Sequence, residues 1–284
     1  MHGAGLRRGA DAGGGGVAVI TAGVDVGSTY TKVSILADGK VVGYAVVPTG
    51  ADAEAAAAEC LKRALEMARL KRPDVQYIVS TGYGRKLVQL TIANESVSEI
   101  MANAAGTRFI AADKGIRTIL DIGGQDTKII SLDAKGNMVK FQMNDRCAAG
   151  TGRFLEVMAR VLEIPLDQLG PESLKSKNPV TISSTCTVFA KSEVASMLAR
   201  RVPKEDIAAG IHKSMAERMA IMARKVGVVE RVFFDGGPAR NIGMRKAMED
   251  ELKVKLVVPE MPQIVTSIGA ARIAAERAAA KGAG

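Results

Sequence analysis

The pattern Asp-x-Gly-x-x-x-Thr-Lys occurs twice in this chain, at Asp25–Lys32 and at Asp121–Lys128, a constant 96 positions apart. Apolar stretches flank both copies: Val17–Val24 and Val33–Leu36 around the first, Ile119–Leu120 and Ile129–Leu132 around the second. Each copy therefore reads as a strand, a tight glycine turn and a second strand. An internal repeat constrains architecture more than any single motif. Two similar halves are expected, each offering the same turn to a shared cleft. Glycine at Gly27, Gly123 and Gly124 lets backbone N–H groups come close to a ligand, which a Cβ would block. Asp-x-Gly hairpins also turn well without any ligand. That accounts for one copy more easily than for a matched pair with Thr and Lys in register.

A third turn has related features. Asp235-Gly236-Gly237-Pro238-Ala239 ends an expected strand, Val229–Asp235, and precedes a helical stretch. Three strand–turn elements around one cleft point to a nucleoside triphosphate with Mg²⁺. Asp121, at a strand end, is placed to hold a metal-bound water. Gly-x-x-x-x-Gly-Lys-Ser/Thr is absent, so the site is not a Walker A loop. Gly269-Ala270-Ala271, at the start of the last helix, allows close approach either of an adenine or of a neighbouring helix.

Taken in order, the chain alternates strands and helices in the same way twice. Strands are expected at Val17–Val24, Thr31–Leu36, Val41–Val47 and Val75–Ser80, with a helix over Ala51–Leu70 ended by Pro73 and another over Glu95–Thr107. The second half restarts with strands at Arg117–Asp121, Ile129–Leu132 and Met138–Met143. An amphipathic helix follows, carrying Phe154, Leu155, Met158, Val161 and Leu162. A short apolar segment at Val180–Ser183, helices after Ser184 and from Pro203 to about Lys225, a strand at Val229–Asp235, a helix near Ile242–Leu252, a strand at Lys255–Val258 and a last helix from Ile264 complete it. The fold class is α/β: two similar βββαβα-type domains around a nucleotide cleft, with helical insertions in the second. The expected divisions are a disordered leader (1–16), a first half (17–112) and a second half (113–284).

Composition bears on partners and compartment. The net charge is +9, but Lys and Arg are spread along the chain among acids, and aromatic residues are only 4 %. Stacking platforms for nucleic acid are therefore not expected; the charge suits solubility and anionic ligands. No apolar run approaches the ~18 residues of a membrane span. The Gly-rich start has no apolar core of a signal peptide, so the expected location is cytoplasmic.

The three cysteines are Cys60, Cys147 and Cys186. An odd count with no sign of secretion argues against a disulfide framework. Cys60 lies mid-helix among Ala and Leu and reads as a small buried hydrophobe. Cys147 and Cys186 each lie just before a predicted helix, where the dipole and free N–H groups favour the thiolate. Such thiols can bind a metal, form a redox pair or do neither. Two cysteines cannot complete a four-cysteine site in one chain, but two chains can. A [4Fe–4S] cluster shared across a dimer axis is a specific possibility.

Several stretches resemble the ATPase/activator family of 2-hydroxyacyl-CoA dehydratases and benzoyl-CoA reductases, whose fold is that of acetate and sugar kinases, Hsp70 and actin. They are Asp25-Val-Gly-Ser-Thr, Asp121-Ile-Gly-Gly-Gln-Asp, Asn144-Asp-Arg-Cys-Ala-Ala-Gly-Thr-Gly-Arg-Phe-Leu-Glu, Ser183-Ser-Thr-Cys-Thr-Val-Phe-Ala and Gly210-Ile-His. The resemblance covers about Val19 to Ala275. It implies ATP in the cleft, with Mg²⁺, and one [4Fe–4S] cluster between two subunits, Cys147 and Cys186 falling on its ligand positions. It implies a homodimer, or a heterodimer with a related ATPase subunit. Ferredoxin or flavodoxin would donate an electron, and an acyl-CoA reductase or dehydratase would accept it.

On this reading the nucleotide is held by Asp25, Gly27, Ser28, Thr29, Lys32, Gly123, Gly124, Gln125, Gly236, Gly237, Pro238 and Ala239. Gln125 would orient the attacking water, and Asp121 would hold Mg²⁺ through water. Pro238 departs from the family's usual Gly-Gly-Val-Ala and removes an N–H. The Asp25 hairpin and Phe109-Ile-Ala-Ala-Asp-Lys-Gly-Ile-Arg lean toward a benzoyl-CoA reductase subunit; the alternative is a dehydratase activator. More distant alternatives are a small-molecule kinase of the same superfold, which would have no use for paired helix-terminal thiols, and a non-catalytic nucleotide switch.

Overall fold

Each copy of the repeat forms the centre of a mixed five-stranded sheet. The computed structural model describes residues 19–184 and 186–282. The leader expected at 1–16, and residues 17 and 18 of the first expected strand, lie outside the described residues, as does Thr185.

In the first half, β1 (Ile20–Val26), β2 (Tyr30–Ala37) and β3 (Lys40–Pro48) form an antiparallel meander, followed by α1 (Ala53–Ala68). Then come β4 (Tyr77–Gly82), α2 (Arg85–Thr91), the two-residue β5 (Glu95–Ser96) and α3 (Glu99–Ile110). The second half repeats the meander as β6 (Thr118–Ile122), β7 (Thr127–Leu132) and β8 (Met138–Asn144). Four helices follow: α4 (Gly152–Leu162), α5 (Leu169–Ser173), α6 (Thr187–Ala199) and α7 (Lys204–Val226). The chain closes with β9 (Val232–Gly236), α8 (Ile242–Leu252), β10 (Leu256–Val257) and α9 (Val265–Gly282).

Strand orders are β3-β2-β1-β4-β5 and β10-β9-β6-β7-β8, the same connectivity twice. The correspondence extends to register. Asp25 lies opposite Lys32 across β1–β2, and Asp121 opposite Lys128 across β6–β7. The ladder shifts register between Ile35 and Leu36 in one half and between Ser131 and Leu132 in the other, at positions related by the same repeat. β4 runs parallel to β1, and β9 parallel to β6. A parallel strand covered on both faces reads as a continuous apolar run, and β1 and β6 are buried through nearly their whole length.

Local signals explain most element ends. Asp52 caps α1 by accepting from Glu54 N and Ala55 N. Arg69 in the left-handed region ends that helix, and Pro73 falls in a separate turn, Arg72–Asp74. The expected helix at Glu95–Thr107 starts later, at Glu99, with Ser98 accepting from Met101 N. Glu95 and Ser96 instead pair with β4. Residues 180–183 are extended without forming a strand, and α5 has no counterpart in the sequence reading. α4 buries Phe154, Leu155, Met158, Ala159 and Leu162, the amphipathic face its spacing implied. Cys60 is fully buried in α1, its thiol donating to the Thr31 and Ala45 carbonyls, and burial pushes its pKa up to about 12.

Two helices join the halves. Ala102 and Ala105 of α3 pack with Tyr77 and Val79 of the first sheet, while Ala104 packs with Ile119, Ile130 and Phe233 of the second. α9 returns from the end of the chain to the first sheet: Thr21 Oγ1 donates to the Ala271 carbonyl at 3.0 Å, and Ser34 and Ser267 hydroxyls meet at 2.7 Å. A Cβ on Gly269 would overlap the Ala102 carbonyl of α3. Gly269 therefore serves helix–helix approach, not a ligand.

Candidate functional site

Three aspartates occupy the same place in three strands. Asp25, Asp121 and Asp235 are each the last residue but one of β1, β6 and β9. Parallel pairing sets Asp121 beside Asp235. All three line a cleft of about 630 Å³ between the halves, within the size range of small-ligand sites. Gly27, Ser28, Thr29 and Lys32 line it from the first half. Gly123, Gly124, Gly236, Gly237 and Pro238 line it from the second. The two repeat turns touch: a Cβ on Gly124 would overlap the Thr29 hydroxyl. Ala239 is fully buried and Gln125 is exposed, and neither is among the residues lining the cleft. Pro238 is the second residue of a short helical turn, Gly237–Arg240, where the N–H has no partner within the turn and its loss is tolerated.

The sequence reading passed over several lining groups. Glu99 and Asp126 join the aspartates, and Asn103 holds Asp235 through a 2.7 Å bond from Nδ2 to Oδ2. Asp235 carried a legible signal, since its strand–Asp–Gly–Gly sequence matches that of Asp121. Glu99 carried none, because only the fold brings the start of α3 to the cleft.

Charge at the cleft base is unbalanced. Lys128, 1 % exposed, meets Glu99 at 2.8 Å, Asp126 at 2.9 Å and Asp121 at 3.5 Å. Lys32 meets Asp25 at 3.0 Å. Two lysines thus face five carboxylates. Burial pushes the Asp121 pKa up to about 6; Lys128 pulls it down, while Glu99 and Asp126 add to the rise. Burial, and then Asp121, hold Asp235 well above the usual carboxylate range. Asp25 Oδ1 and Asp235 Oδ1 are buried without a hydrogen-bond partner. Such a site suits a divalent cation. Among the described residues no cluster of three side chains forms a direct metal cage. The pattern fits Mg²⁺, which keeps several waters and takes remaining ligands from a substrate phosphate.

The cysteines form a second group. Cys147 and Cys186 are exposed and free. Cys147 precedes the turn Ala148–Gly150, and Cys186 is the cap residue of α6, with neither thiol used as a cap. Asn144 holds the Cys147 segment from both sides: Oδ1 accepts from Cys147 N at 3.2 Å, and Nδ2 donates to the Cys147 carbonyl at 3.0 Å. On the Cys186 side, Glu193 accepts from Ser183 N, Ser183 Oγ and Ser184 N. Partial burial alone would raise its pKa, but these bonds bring it down to about 2. Two exposed thiols before helical turns fit half of a four-thiolate iron–sulfur site.

The two groups are connected. The carbonyls of Gly123 and Gly124 accept from Gly152 N and Arg153 N, each at 2.9 Å. Thr127 Oγ1 donates to the Gly150 carbonyl at 2.6 Å. The glycine turn of the second half is thus bonded to the segment that carries Cys147. Farther along, α7 buries His212, whose Nδ1 lies 2.8 Å from the Ala208 carbonyl. A proton on Nδ1 leaves Nε2 a buried acceptor without a hydrogen-bond partner.

The model of the BadF/BadG/BcrA/BcrD ATPase family matches residues 22–274. The (R)-2-hydroxyglutaryl-CoA dehydratase activating ATPase of Acidaminococcus fermentans is 44 % identical over 264 residues, 93 % of this chain and 100 % of the relative. A benzoyl-CoA reductase component of Thauera aromatica is 34 % identical over 198 residues, 69 % of this chain and 68 % of that one. Among solved structures, the activator of the 2-hydroxyisocaproyl-CoA dehydratase from Clostridium difficile with bound ADPNP superposes with a TM-score of 0.88 at 41 % identity, covering 93 % of this chain and 97 % of its own. A Streptomyces griseus ROK family glucokinase, 14 % identical with a TM-score of 0.56, covers 90 % of this chain and 99 % of its own and shares the fold alone. The duplicated α/β architecture is that of the actin-like ATPases, and the chain belongs to the BadF/BadG/BcrA/BcrD ATPase family.

Proposed function

We propose that this protein is the ATP-hydrolysing activator of a 2-hydroxyacyl-CoA dehydratase. The sequence leaned toward a benzoyl-CoA reductase subunit. That preference gives way, because the dehydratase activator aligns at higher identity over nearly the whole chain and the reductase component over about two thirds of it. The observation that carries the reading is the bonding of the Gly123–Gly124 turn to the start of α4, five residues beyond Cys147.

ATP lies in the cleft, its phosphates between the Gly27–Thr29 and Gly123–Gly124 turns. Lys32 supplies positive charge from the first half. Asp25, Asp121 and Asp235 would hold Mg²⁺ through its waters, and the ion would neutralise charge on the phosphates. Asp121 and Asp126 are the carboxylates of the second turn that face the γ-phosphate end, and either can take a proton from the attacking water. Gln125 needs a movement of its turn to reach that water. Loss of the γ-phosphate changes what Gly123 and Gly124 hold, and their carbonyl bonds carry the change to Gly152, Arg153 and the Cys147 segment. Cys147 and Cys186 of two chains would hold a [4Fe–4S] cluster, which would supply one-electron transfer. Ferredoxin or flavodoxin fits as donor and the dehydratase as acceptor.

The test is reconstitution. Anaerobic protein with MgATP, reduced ferredoxin and a 2-hydroxyacyl-CoA dehydratase component should restore dehydration, with phosphate released. Activation of a benzoyl-CoA reductase catalytic component alone would return the reading to the reductase. Transfer of phosphate to a sugar or carboxylic acid would replace it with a kinase.

A further inference from the structure

Arg218 stands out among the charged groups that the nucleotide cleft does not use. It lies on α7, partly buried between Met215 and Met219, which are fully buried. Its Nη1 donates to the Ala149 carbonyl at 3.0 Å, and its Nη2 to the Ser184 carbonyl at 2.8 Å. Ala149 is two residues after Cys147, and Ser184 two residues before Cys186. One guanidinium thus ties together two segments 35 positions apart, each at the same remove from its cysteine. The guanidinium also lies 5.6 Å from the centroid of the Phe154 ring of α4. Its plane is therefore fixed by two carbonyls and a ring.

Charge supplies a second, independent observation. Among the described residues no carboxylate forms an ion pair with Arg218. Its nearest negative charges are at Glu217, its neighbour in sequence, and at the Cys147 sulfur. The Cys147 sulfur is within its electrostatic reach. A thiolate at Cys147 would add to the negative charge that the guanidinium faces.

We infer that Arg218 is the positioning residue that sets the spacing of the two thiols, so that each chain presents Cys147 and Cys186 as one rigid pair. The inference rests on the proposed shared iron–sulfur site. Lysine cannot replace arginine here, because a single ammonium on a flexible stem does not span two carbonyls in a fixed fork. The Cys147 segment answers to the nucleotide turn through Gly152 and Arg153, and the Cys186 segment is held by Glu193 within its own helix. Arg218 makes the second follow the first.

The experiment compares wild-type protein with Arg218→Gln, Arg218→Lys and, as a surface control on the same helix, Arg224→Gln. Each is purified anaerobically. Iron per chain, ADP binding and the rate of iron loss to an external ferrous chelator are measured. Iron loss should be on the order of tenfold faster in Arg218→Gln, as expected when one charge-assisted bond is lost and the amide keeps the other. Arg218→Lys should restore only part of the difference, Arg224→Gln should match wild type, and all should bind ADP normally. Wild-type iron loss in both Arg218 variants would overturn the inference and leave the functional reading standing. Failure of both to bind ADP would mean that Arg218 holds the fold as a whole, and would also overturn it. If only the glutamine variant misfolds, the lysine variant decides. Absence of iron from wild-type protein would overturn the functional reading and the inference together.

Discussion

The two repeat turns have the same strand register, the same Asp–Lys pair and the same bulge, yet they are wired to different things. In the first half, Thr31 meets Thr49 at 2.9 Å and Thr49 donates to the Gly27 carbonyl at 2.7 Å. That turn is closed on its own sheet. Lys32, 20 % exposed, has Asp25 as its carboxylate partner. In the second half, Thr127 reaches Gly150, and Gly123 and Gly124 hold the start of α4. Lys128 is buried among three carboxylates. The repeat thus contains one turn bonded within its own sheet and one bonded to the helices that follow it.

The largest expected contrast comes from the cysteines. Cys147→Ser or Cys186→Ser should abolish bound iron while nucleotide affinity stays within about twofold, since neither thiol lines the cleft. Cys60→Ala, in the first half, should leave iron untouched. Retention of full iron content in either serine variant would break the division of labour.

Next are the two lysines. Lys128→Met leaves three carboxylates without their cation and should cost about 3–5 kcal/mol of stability, the usual penalty for breaking a buried ion pair. Lys32→Met, partly exposed with one partner, should cost about 1 kcal/mol. Denaturant unfolding of the two variants measures the difference. Equal losses would mean that the halves are electrostatically equivalent after all.

Acid should act on the second half through His212. Burial holds its pKa down to about 4, against the raising effect of its bond to the Ala208 carbonyl. Between pH 6.5 and 4 the unfolded chain binds a proton that the folded chain refuses, so stability falls as pH falls. The loss approaches about 3 kcal/mol by pH 4. His212→Gln should flatten that part of the pH–stability curve, and an unchanged curve would contradict the assignment.

The smallest contrast is between two helix caps. Asp52→Ala should cost about 1 kcal/mol without altering nucleotide binding. Asn241→Ala loses a similar cap, Oδ1 accepting from Met244 N, but lies on the cleft wall and should weaken ADP binding as well. Calorimetric titration of both variants separates the two effects.

Much of this was legible in the sequence, because the repeat carries its own register. Asp25, Gly27, Lys32, Asp121 and Gly123 could be placed from the spacing of 96 alone. The cysteine segments could be singled out because small polar residues before a helix are unusual company for a buried thiol. Glu99 and Asn103 were not legible: they stand on α3 beside ordinary apolar residues, and only the crossing of α3 between the sheets brings them to the cleft. The position of α9 was hidden for the same reason. Ala270 and Ala274 spell a helix, but nothing local says that it returns to the first sheet. Arg218 is one basic residue in a helix rich in them, and its role depends on two carbonyls distant in sequence.

The most direct test of the account is the iron content and visible spectrum of protein prepared without oxygen, recorded before and after MgATP. The account predicts about two irons per chain, one [4Fe–4S] cluster for two chains, with a spectrum that changes when nucleotide binds. Iron-free protein from a preparation never exposed to oxygen, with its ATPase activity intact, would contradict it.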